Sequence, residues 1–233
     1  MPSYNSKRYP ESSLAHRYLD GLKGLEIGGA YHNAFGLDTL NVDYSSDMNT
    51  EFKREEVALC GEAMPVDIVA PGNAVPVANK SFDFVISSHV IEHFFDPIGA
   101  LNEWRRIARK YIYIICPQPT ALESDRGKRL TTLQEIRHRH SGKTEPPPRD
   151  DHQHYTRWTS GSFVNMCLYF GFHVIDVQDP DDKFGNGFAI VIDVAPSWLV
   201  RAKCVWTRQH MKVRQKALEL IAPPLPLDLR GTE

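Results

Sequence analysis

Two acids and a pair of glycines near the start of the chain have the types and spacing to bind a nucleoside. A short apolar run carries Glu26 and breaks into Gly28-Gly29. Glycines directly after a strand let the backbone approach a ligand closely, because no Cβ holds it off. A second apolar run ends in Asp43. An acid at that position of a βαβ unit can accept hydrogen bonds from both hydroxyls of a ribose. The succession of strand, glycine turn, strand and acid therefore indicates a nucleoside-binding half-sheet.

The charge of Glu26 distinguishes between two classes of nucleotide cofactor. A glycine pair after a strand is, on its own, more often an ordinary tight turn. A dinucleotide site uses three spaced glycines and holds a pyrophosphate at a helix N-terminus. This loop has only the pair, and the carboxylate of Glu26 beside it would repel phosphate. A cofactor with a cationic amino-acid end would be attracted, so these residues favour S-adenosylmethionine over NAD.

Three stretches resemble the first, second and fourth motifs of class I S-adenosylmethionine-dependent methyltransferases. They are residues 25–30, 41–44 and 82–97, within a similarity that spans roughly residues 20–195. Residues 130–158 also resemble bacterial sugar and polysaccharide O-methyltransferases, among them the methylmannose-polysaccharide methyltransferases. The resemblance implies an α/β fold with a Rossmann-like seven-stranded sheet. It also implies a methyl transfer to a hydroxyl of a sugar or oligosaccharide that serves as a polysaccharide precursor.

The resemblance implies a cofactor site at the carboxyl ends of the first four strands. Its residues would be Glu26, Gly28, Gly29, Ala30, Asp43, Tyr44, Gly72, Asn73, Ser88 and His89. The chain departs from the family pattern twice. Residues 31–39 are too few for the helix expected between the first two strands, so a loop or single turn must replace it. Pro71-Gly72-Asn73 stands where many relatives carry an acid, so backbone groups near Gly72 and the side chain of Asn73 would recognise adenine.

Histidines are the candidates for a general base. A sugar hydroxyl is a poor nucleophile until it loses its proton, and the pKa of histidine lies near working pH. His152 and His154 follow two aspartates at the end of a polar segment, and a nearby carboxylate can orient a histidine. His89 and His93 follow the fourth strand. We name His154, His152 and His89 as candidate catalytic residues, with Mg²⁺ bound by His, Asp and Glu as the alternative way to activate the hydroxyl.

Three neighbouring residues suit a carbohydrate. Tyr155 and Trp158 offer aromatic faces for a sugar ring, and Arg157 offers donors for its hydroxyls. Trp158 would equally suit core packing beneath the helix that follows. We therefore expect a small carbohydrate substrate bound by these side chains, and both interpretations of Trp158 stay open.

Hydrophobic periodicity and turn residues predict the elements that position these residues. We expect an N-terminal helical segment over 1–22, a catalytic domain over 23–194 with a polar lid insertion over 117–158, and a C-terminal helix and tail over 195–233. Within the domain we expect helices over 50–61, 131–140 and 159–169, a helix starting at Asp96-Pro97, and strands over 66–70, 82–87, 111–116, 173–178 and 187–194. The last two strands should form an antiparallel pair, and the C-terminal helix should either dock back on the domain or form a homodimer contact.

Composition limits the other classes of function. The 233-residue chain has a net charge of −2, which argues against nucleic-acid binding, and no apolar run reaches the length of a membrane span. Four scattered cysteines and a polar N-terminus indicate free thiols and a cytoplasmic protein. A dehydrogenase with a Tyr-x-x-x-Lys pair is excluded, since no tyrosine has a lysine four residues later. Methylation of another small molecule or a lipid precursor, and a non-catalytic S-adenosylmethionine-binding module, remain as alternatives.

Overall fold

Seven strands form one sheet in the computed structural model, which describes residues 7–148, 150 and 152–194. The strands are β1 (Lys23–Ile27), β2 (Asp38–Asp43), β3 (Ile68–Val69), β4 (Phe82–Ser88), β5 (Ala108–Pro117), β6 (His173–Gln178) and β7 (Gly187–Asp193). Their order in the sheet is β3-β2-β1-β4-β5-β7-β6. Among the strands described, β7 runs in the direction opposite to that of the other six. The carboxyl ends of β1 to β5 therefore meet at one edge of the sheet.

The helices begin where a side chain satisfies the first free backbone N–H groups. They are α1 (Ser13–Leu19), α2 (Glu51–Cys60), α3 (Pro97–Ile107), α4 (Leu133–His140) and α5 (Ser160–Tyr169). Ser12, Thr50 and Asp96 cap the first three helices through their side-chain oxygens. Thr132 and Thr159 cap the other two in reciprocal capping boxes. These short polar residues set the helix starts because they replace the missing intrahelical acceptors.

The two faces of the sheet are buried in separate apolar clusters. Successive strand residues point to opposite faces. Along β4, Val85 therefore packs in the cluster that includes residues of α3 and α5, whereas Phe84 and Ile86 pack in the cluster that includes α1. Along β5, Ile114 packs in the first of these clusters and Tyr113 in the second. This double burial explains why β4 and β5 read as apolar runs.

The predicted architecture is confirmed, with differences at the element ends. The seven-stranded α/β sheet and the antiparallel closing pair are present. Residues 31–39 hold only a 3-10 turn, Tyr31–Asn33, as expected for a segment too short for a helix. The third strand is two residues long instead of five, because its neighbouring Asp67 turns its carboxylate to the backbone N–H of Asn41. The predicted C-terminal helix lies outside the described residues.

The insertion after β5 contains regular elements in its described residues. Its 3-10 turn, Glu123–Asp125, and its helix α4 are followed by a segment that returns to the sheet edge. The backbone N–H groups of Tyr155 and Thr156 both donate to the carbonyl of Glu92, over 2.9 and 3.2 Å. The N–H of Thr131 donates to the carbonyl of Arg157. These bonds fix the end of the insertion directly above the carboxyl end of β4.

Three of the four cysteines lie in the described part of the chain. Cys60, Cys116 and Cys167 are buried free thiols, and Cys204 lies outside the described residues. In the described part of the chain, no helix combines the length and apolar character that a membrane crossing requires.

Candidate functional site

The glycine turn after β1 is packed closely over an acid. Gly28 has a φ of +70°, a conformation that side-chain-bearing residues rarely adopt, and its N–H donates to the carbonyl of Val42 over 2.9 Å. The N–H of Gly29 donates to Oδ1 of Asn41 over 2.9 Å. A Cβ added to Gly29 would lie 2.9 Å from the carboxyl carbon of Glu26. The turn thus needs both glycines and lies against the Glu26 carboxyl group.

Glu26 is a buried carboxyl group with an altered pKa. Its exposed fraction is 5%, and burial raises its pKa to about 7. Two groups lower this pKa and so partly offset the burial. The Thr39 hydroxyl donates to Oε2 over 3.4 Å, and the positive charge of Lys183 favours the carboxylate. At neutral pH the group is therefore divided between its two protonation states. A cation placed beside it would shift it fully to the carboxylate.

Asp43 ends β2 at the same sheet edge. Its Oδ1 accepts the N–H of Tyr44 over 2.7 Å, and burial raises its pKa above the ordinary value for aspartate. The parallel register pairs β1 with β2 up to Ile27 and Val42. Because the two parallel strands end together, Glu26 and Asp43 lie on one side of the molecule and not on opposite sides.

A buried ion pair from α2 holds the turn that replaces the crossover helix. Lys53 and Glu56 are almost completely buried and lie 3.1 Å apart. The Glu56 carboxylate accepts the N–H groups of Tyr31 and Met64 over 2.5 and 2.7 Å, and Lys53 donates to the Met64 carbonyl over 2.8 Å. Two backbone segments are thereby joined to one helix. Sequence reasoning missed this pair, although two charged residues share the inward face of α2 with Cys60.

Lys183 supports the same turn from the other end of the chain. It comes from the loop between β6 and β7 and is 3% exposed. Its ammonium donates to the carbonyls of Ala34 and Pro10 over 2.6 and 2.9 Å and lies 4.5 Å from the ring centre of Phe35. Burial lowers its pKa to about 8. No sequence signal marks this residue, because its hydrogen bonds go to backbone carbonyls remote in the chain.

His154 belongs to a second buried cluster above the end of β4. It is 8% exposed, and its Nδ1 lies 2.5 Å from Oδ2 of Asp125. Arg157 donates from Nε to the other oxygen of Asp125 over 2.6 Å. Burial would raise the pKa of Asp125, but the hydrogen bonds from Arg157 and His154 outweigh it and leave that pKa below its ordinary value. The imidazole is therefore held at one nitrogen by a fixed carboxylate.

Glu92 and His93 complete this cluster. Glu92 is 1% exposed, burial raises its pKa to about 8, and neither carboxyl oxygen has a hydrogen-bond partner among the described residues. Burial also lowers the pKa of His93 to about 4, and its Nδ1 is likewise buried and unpaired within the described ranges. Nε2 of His154 lies 3.9 Å from Oε1 of Glu92, and the rings of His93 and His154 are 4.7 Å apart. Three polar groups thus converge on one point.

The other candidate bases have different surroundings. His152 is on the surface, where it lies 2.9 Å from the Glu51 carboxylate and 4.7 Å from the ring of Phe52. His89 has a φ of +54° and packs against Phe184, with ring centres 4.5 Å apart. Burial lowers the pKa of His89 to about 4. Neither histidine has an aspartate fixed to it as His154 has.

Two of the residues expected to bind substrate have structural partners. Trp158 is 1% exposed and packs edge-on against Phe163 in the core, so of its two interpretations the structure shows core packing. Arg157 is committed to Asp125 and also donates to the carbonyl of His154. Tyr155 is half-buried beside Phe95 and accepts the N–H of Asp150.

The residues expected around adenine differ in accessibility. The carbonyl of Gly72 accepts the indole N–H of Trp104 over 2.7 Å, and a Cβ there would collide with Ile27. Asn73 is exposed, whereas Ser88 is buried and lies 3.2 Å from Nδ1 of His89. The Gly72 carbonyl thus already holds one protein donor, and the Asn73 side chain is exposed after β3.

The comparisons with known proteins agree with this architecture. Residues 25–116 match a family model described as a methyltransferase domain. A search of curated proteins finds no matching sequence. A methyltransferase dependent on S-adenosylmethionine from Aquifex aeolicus is 16% identical, with a TM-score of 0.50 over 84% of this chain and 94% of that one. Another from Methanosarcina mazei is 15% identical, with a TM-score of 0.48 over 78% and 96%. A magnesium protoporphyrin IX methyltransferase from Synechocystis PCC 6803, solved with S-adenosylhomocysteine, is 15% identical, with a TM-score of 0.44 over 77% of each chain.

Proposed function

We propose that the chain, whose residues 25–116 match a methyltransferase domain and whose fold is that of class I methyltransferases, transfers the methyl group of S-adenosylmethionine to a hydroxyl of a sugar or oligosaccharide. The observation that carries the proposal is the buried pair of His154 and Asp125 above the sheet edge. Transfer of a methyl group to a hydroxyl needs a group that removes the hydroxyl proton. An imidazole fixed by a carboxylate is suited to that task.

The described residues fit the cofactor expected for this family. S-adenosylmethionine supplies an electrophilic methyl group on a sulfonium and carries a cationic amino-acid end. We assign the cationic end to Glu26, the ribose hydroxyls to Asp43, and the close backbone approach to Gly28 and Gly29. Ala30, Tyr44, Gly72, Asn73, Ser88 and His89 are proposed to line the rest of the site. The support is the packed glycine turn over a carboxyl group that is half-ionised at neutral pH.

His154 is the proposed general base. Nδ1 is held by Asp125, so Nε2 is the nitrogen left to accept the proton of the acceptor hydroxyl. Asp125 stabilises the imidazolium that results, and Arg157 keeps Asp125 in place. Proton removal by a positioned base contributes about 10²- to 10⁴-fold in rate. His152 stays a weaker candidate because its carboxylate partner, Glu51, is exposed on the surface, and His89 because burial lowers its pKa to about 4.

A carbohydrate acceptor is supported by the polarity of the insertion. Its return segment places Tyr155 and His154 directly over the Glu92 backbone, and charged side chains surround it. A half-buried tyrosine beside a buried base could pack against the C–H face of a sugar ring. A lipid precursor would call for an apolar surface there instead. Other polar small molecules, and a binding module without activity, are the alternatives.

Mg²⁺ is a weaker proposal than the base. Mg²⁺ prefers an octahedron of oxygen ligands. The groups that converge near His154 are two imidazoles and one carboxyl group, so their chemistry does not match that ion.

A labelled-methyl assay tests the proposal. The protein is incubated with methyl-labelled S-adenosylmethionine and a panel of mono- and oligosaccharides, and the products are analysed by mass spectrometry. We expect a labelled sugar whose rate falls about 10²- to 10⁴-fold in His154→Gln, with unchanged affinity for S-adenosylhomocysteine. His138→Gln, at a half-buried histidine on α4, is the matched control. A normal rate in His154→Gln would rule out its role as base, and labelling of amines or lipids alone would rule out the sugar.

A further inference from the structure

We propose that Glu92, His93 and His154 form a binding site for a divalent transition-metal ion such as Zn²⁺. One ligand atom from each of the three residues lies within 4.8 Å of the other two. Around an ion with bonds of about 2.0–2.1 Å, tetrahedral ligand atoms are roughly 3.3 Å apart. Small rotations of the three side chains would close that difference.

The orphaned polar atoms are the independent observation for this site. Both oxygens of Glu92 and Nδ1 of His93 are buried without a hydrogen-bond partner among the residues described. Buried polar groups are normally paired, so three unpaired atoms facing one another point to a missing partner. Each of these atoms can donate an electron pair, which is what a cation requires.

Asp125 has the position of an outer carboxylate in a metal site. Histidine ligands usually hold a carboxylate or carbonyl with their second ring nitrogen, which orients the ring toward the ion. Asp125 does this at Nδ1 of His154 and is itself held by Arg157. The arrangement leaves Nε2 directed to Glu92, and this nitrogen is the ligand that the site needs.

The donor set selects the class of ion. Two imidazoles and one carboxylate suit zinc, iron and related borderline ions, whereas magnesium and calcium prefer oxygen alone. Three protein ligands leave a further position open, as in catalytic zinc sites. In this respect the inference rests on the proposed function: the open position would accept the substrate hydroxyl and lower its pKa. In the loaded protein His154 would be a ligand and the proton of that hydroxyl would pass to bulk water, whereas in the metal-free protein Nε2 of His154 would accept it.

Cobalt titration of the full-length chain tests the site without any methyl transfer. Co²⁺ is added to chelator-treated protein, and the visible absorption bands of tetrahedral or five-coordinate cobalt are recorded, followed by competition with Zn²⁺ in a calorimeter. We expect one equivalent to bind, with at least a hundredfold weaker binding in Glu92→Gln and His93→Gln. Asp125→Asn should weaken binding about 10- to 100-fold. Glu92→Gln is nearly isosteric and removes a buried ionisable group, so it should fold.

The surface pair of Glu51 and His152 provides the control. His152→Gln should leave the cobalt spectrum and affinity unchanged, because that histidine lies on the surface beside Glu51. Equal cobalt binding by Glu92→Gln and the unchanged protein would overturn the site, as would the absence of these bands at about millimolar Co²⁺. S-adenosylhomocysteine affinity, measured on the same metal-free sample, reports separately on the proposed function.

Discussion

Replacing Glu26 with glutamine should abolish a pH dependence in cofactor affinity. Burial under the glycine turn places the pKa of this carboxyl group at about 7. S-adenosylhomocysteine carries an α-ammonium group that stays protonated between pH 6 and pH 8. If that group binds beside Glu26, it prefers the ionised carboxylate. Each molecule of ligand bound at low pH must then expel the carboxyl proton, which weakens the apparent affinity.

The size of the effect follows from the pKa. With a pKa of about 7, roughly one tenth of Glu26 is ionised at pH 6 and roughly nine tenths at pH 8. The affinity should therefore increase about tenfold between these two pH values, or about 1.4 kcal/mol. In Glu26→Gln the side chain has no proton to lose. The affinity should be lower at pH 8 and nearly the same at pH 6 and pH 8.

Isothermal titration calorimetry with S-adenosylhomocysteine measures both quantities. Titrations at three pH values give the affinities, and buffers with different ionisation enthalpies give the number of protons released. Asp43→Asn is the matched control, since it removes the proposed ribose contact but keeps Glu26. Asp43→Asn should lower the affinity for S-adenosylhomocysteine at each pH but keep the tenfold increase between pH 6 and pH 8. A flat affinity in the unchanged protein, or the same slope in Glu26→Gln, would show that the ammonium group does not bind there.

Three further predictions concern stability. Without cofactor, the raised pKa of Glu26 should lower the free energy of unfolding by about 3 kcal/mol as the pH rises from about 4.5 to about 7, because the unfolded chain loses the proton first. Urea unfolding at several pH values should show this decrease in the unchanged protein and not in Glu26→Gln. Trp158→Ala should cost about 3–5 kcal/mol of unfolding free energy, and a loss of substrate affinity at full stability would contradict its core position. Lys53→Met should cost about 3–5 kcal/mol by leaving the Glu56 charge buried without its ion-pair partner, whereas Lys53→Met with Glu56→Gln should recover part of that loss in a double-mutant cycle.

The sheet and its edge could be predicted because their signals are local. Apolar runs gave the central strands, and the glycine pair and Asp43 marked where two of them end. Parallel strands then bring Glu26 and Asp43 to one edge without knowledge of any loop. The short segment after Gly29 also excluded a full helix by length alone. These inferences needed only the period of a strand and the length of a turn.

The buried charges could not be predicted because they depend on the paths of long segments. His154 was a candidate from its neighbouring aspartates, yet its partner is Asp125, at the other end of the insertion. No sequence signal marks Glu92, and its burial without a hydrogen-bond partner among the described residues depends on the return segment above it. Trp158 had two equal interpretations, since an aromatic residue before a helix can face either the core or a ligand.

The ammonium group of Lys183 ties together three parts of the chain that are made at very different times. It joins the closing hairpin to Pro10 and to Ala34, so the segment after the glycine turn is held by a residue about 150 positions later. During synthesis, the first half of the protein can form its strands but lacks this support. Cofactor affinity should therefore develop only once the last hairpin has been added, which makes ligand binding a measure of completed folding.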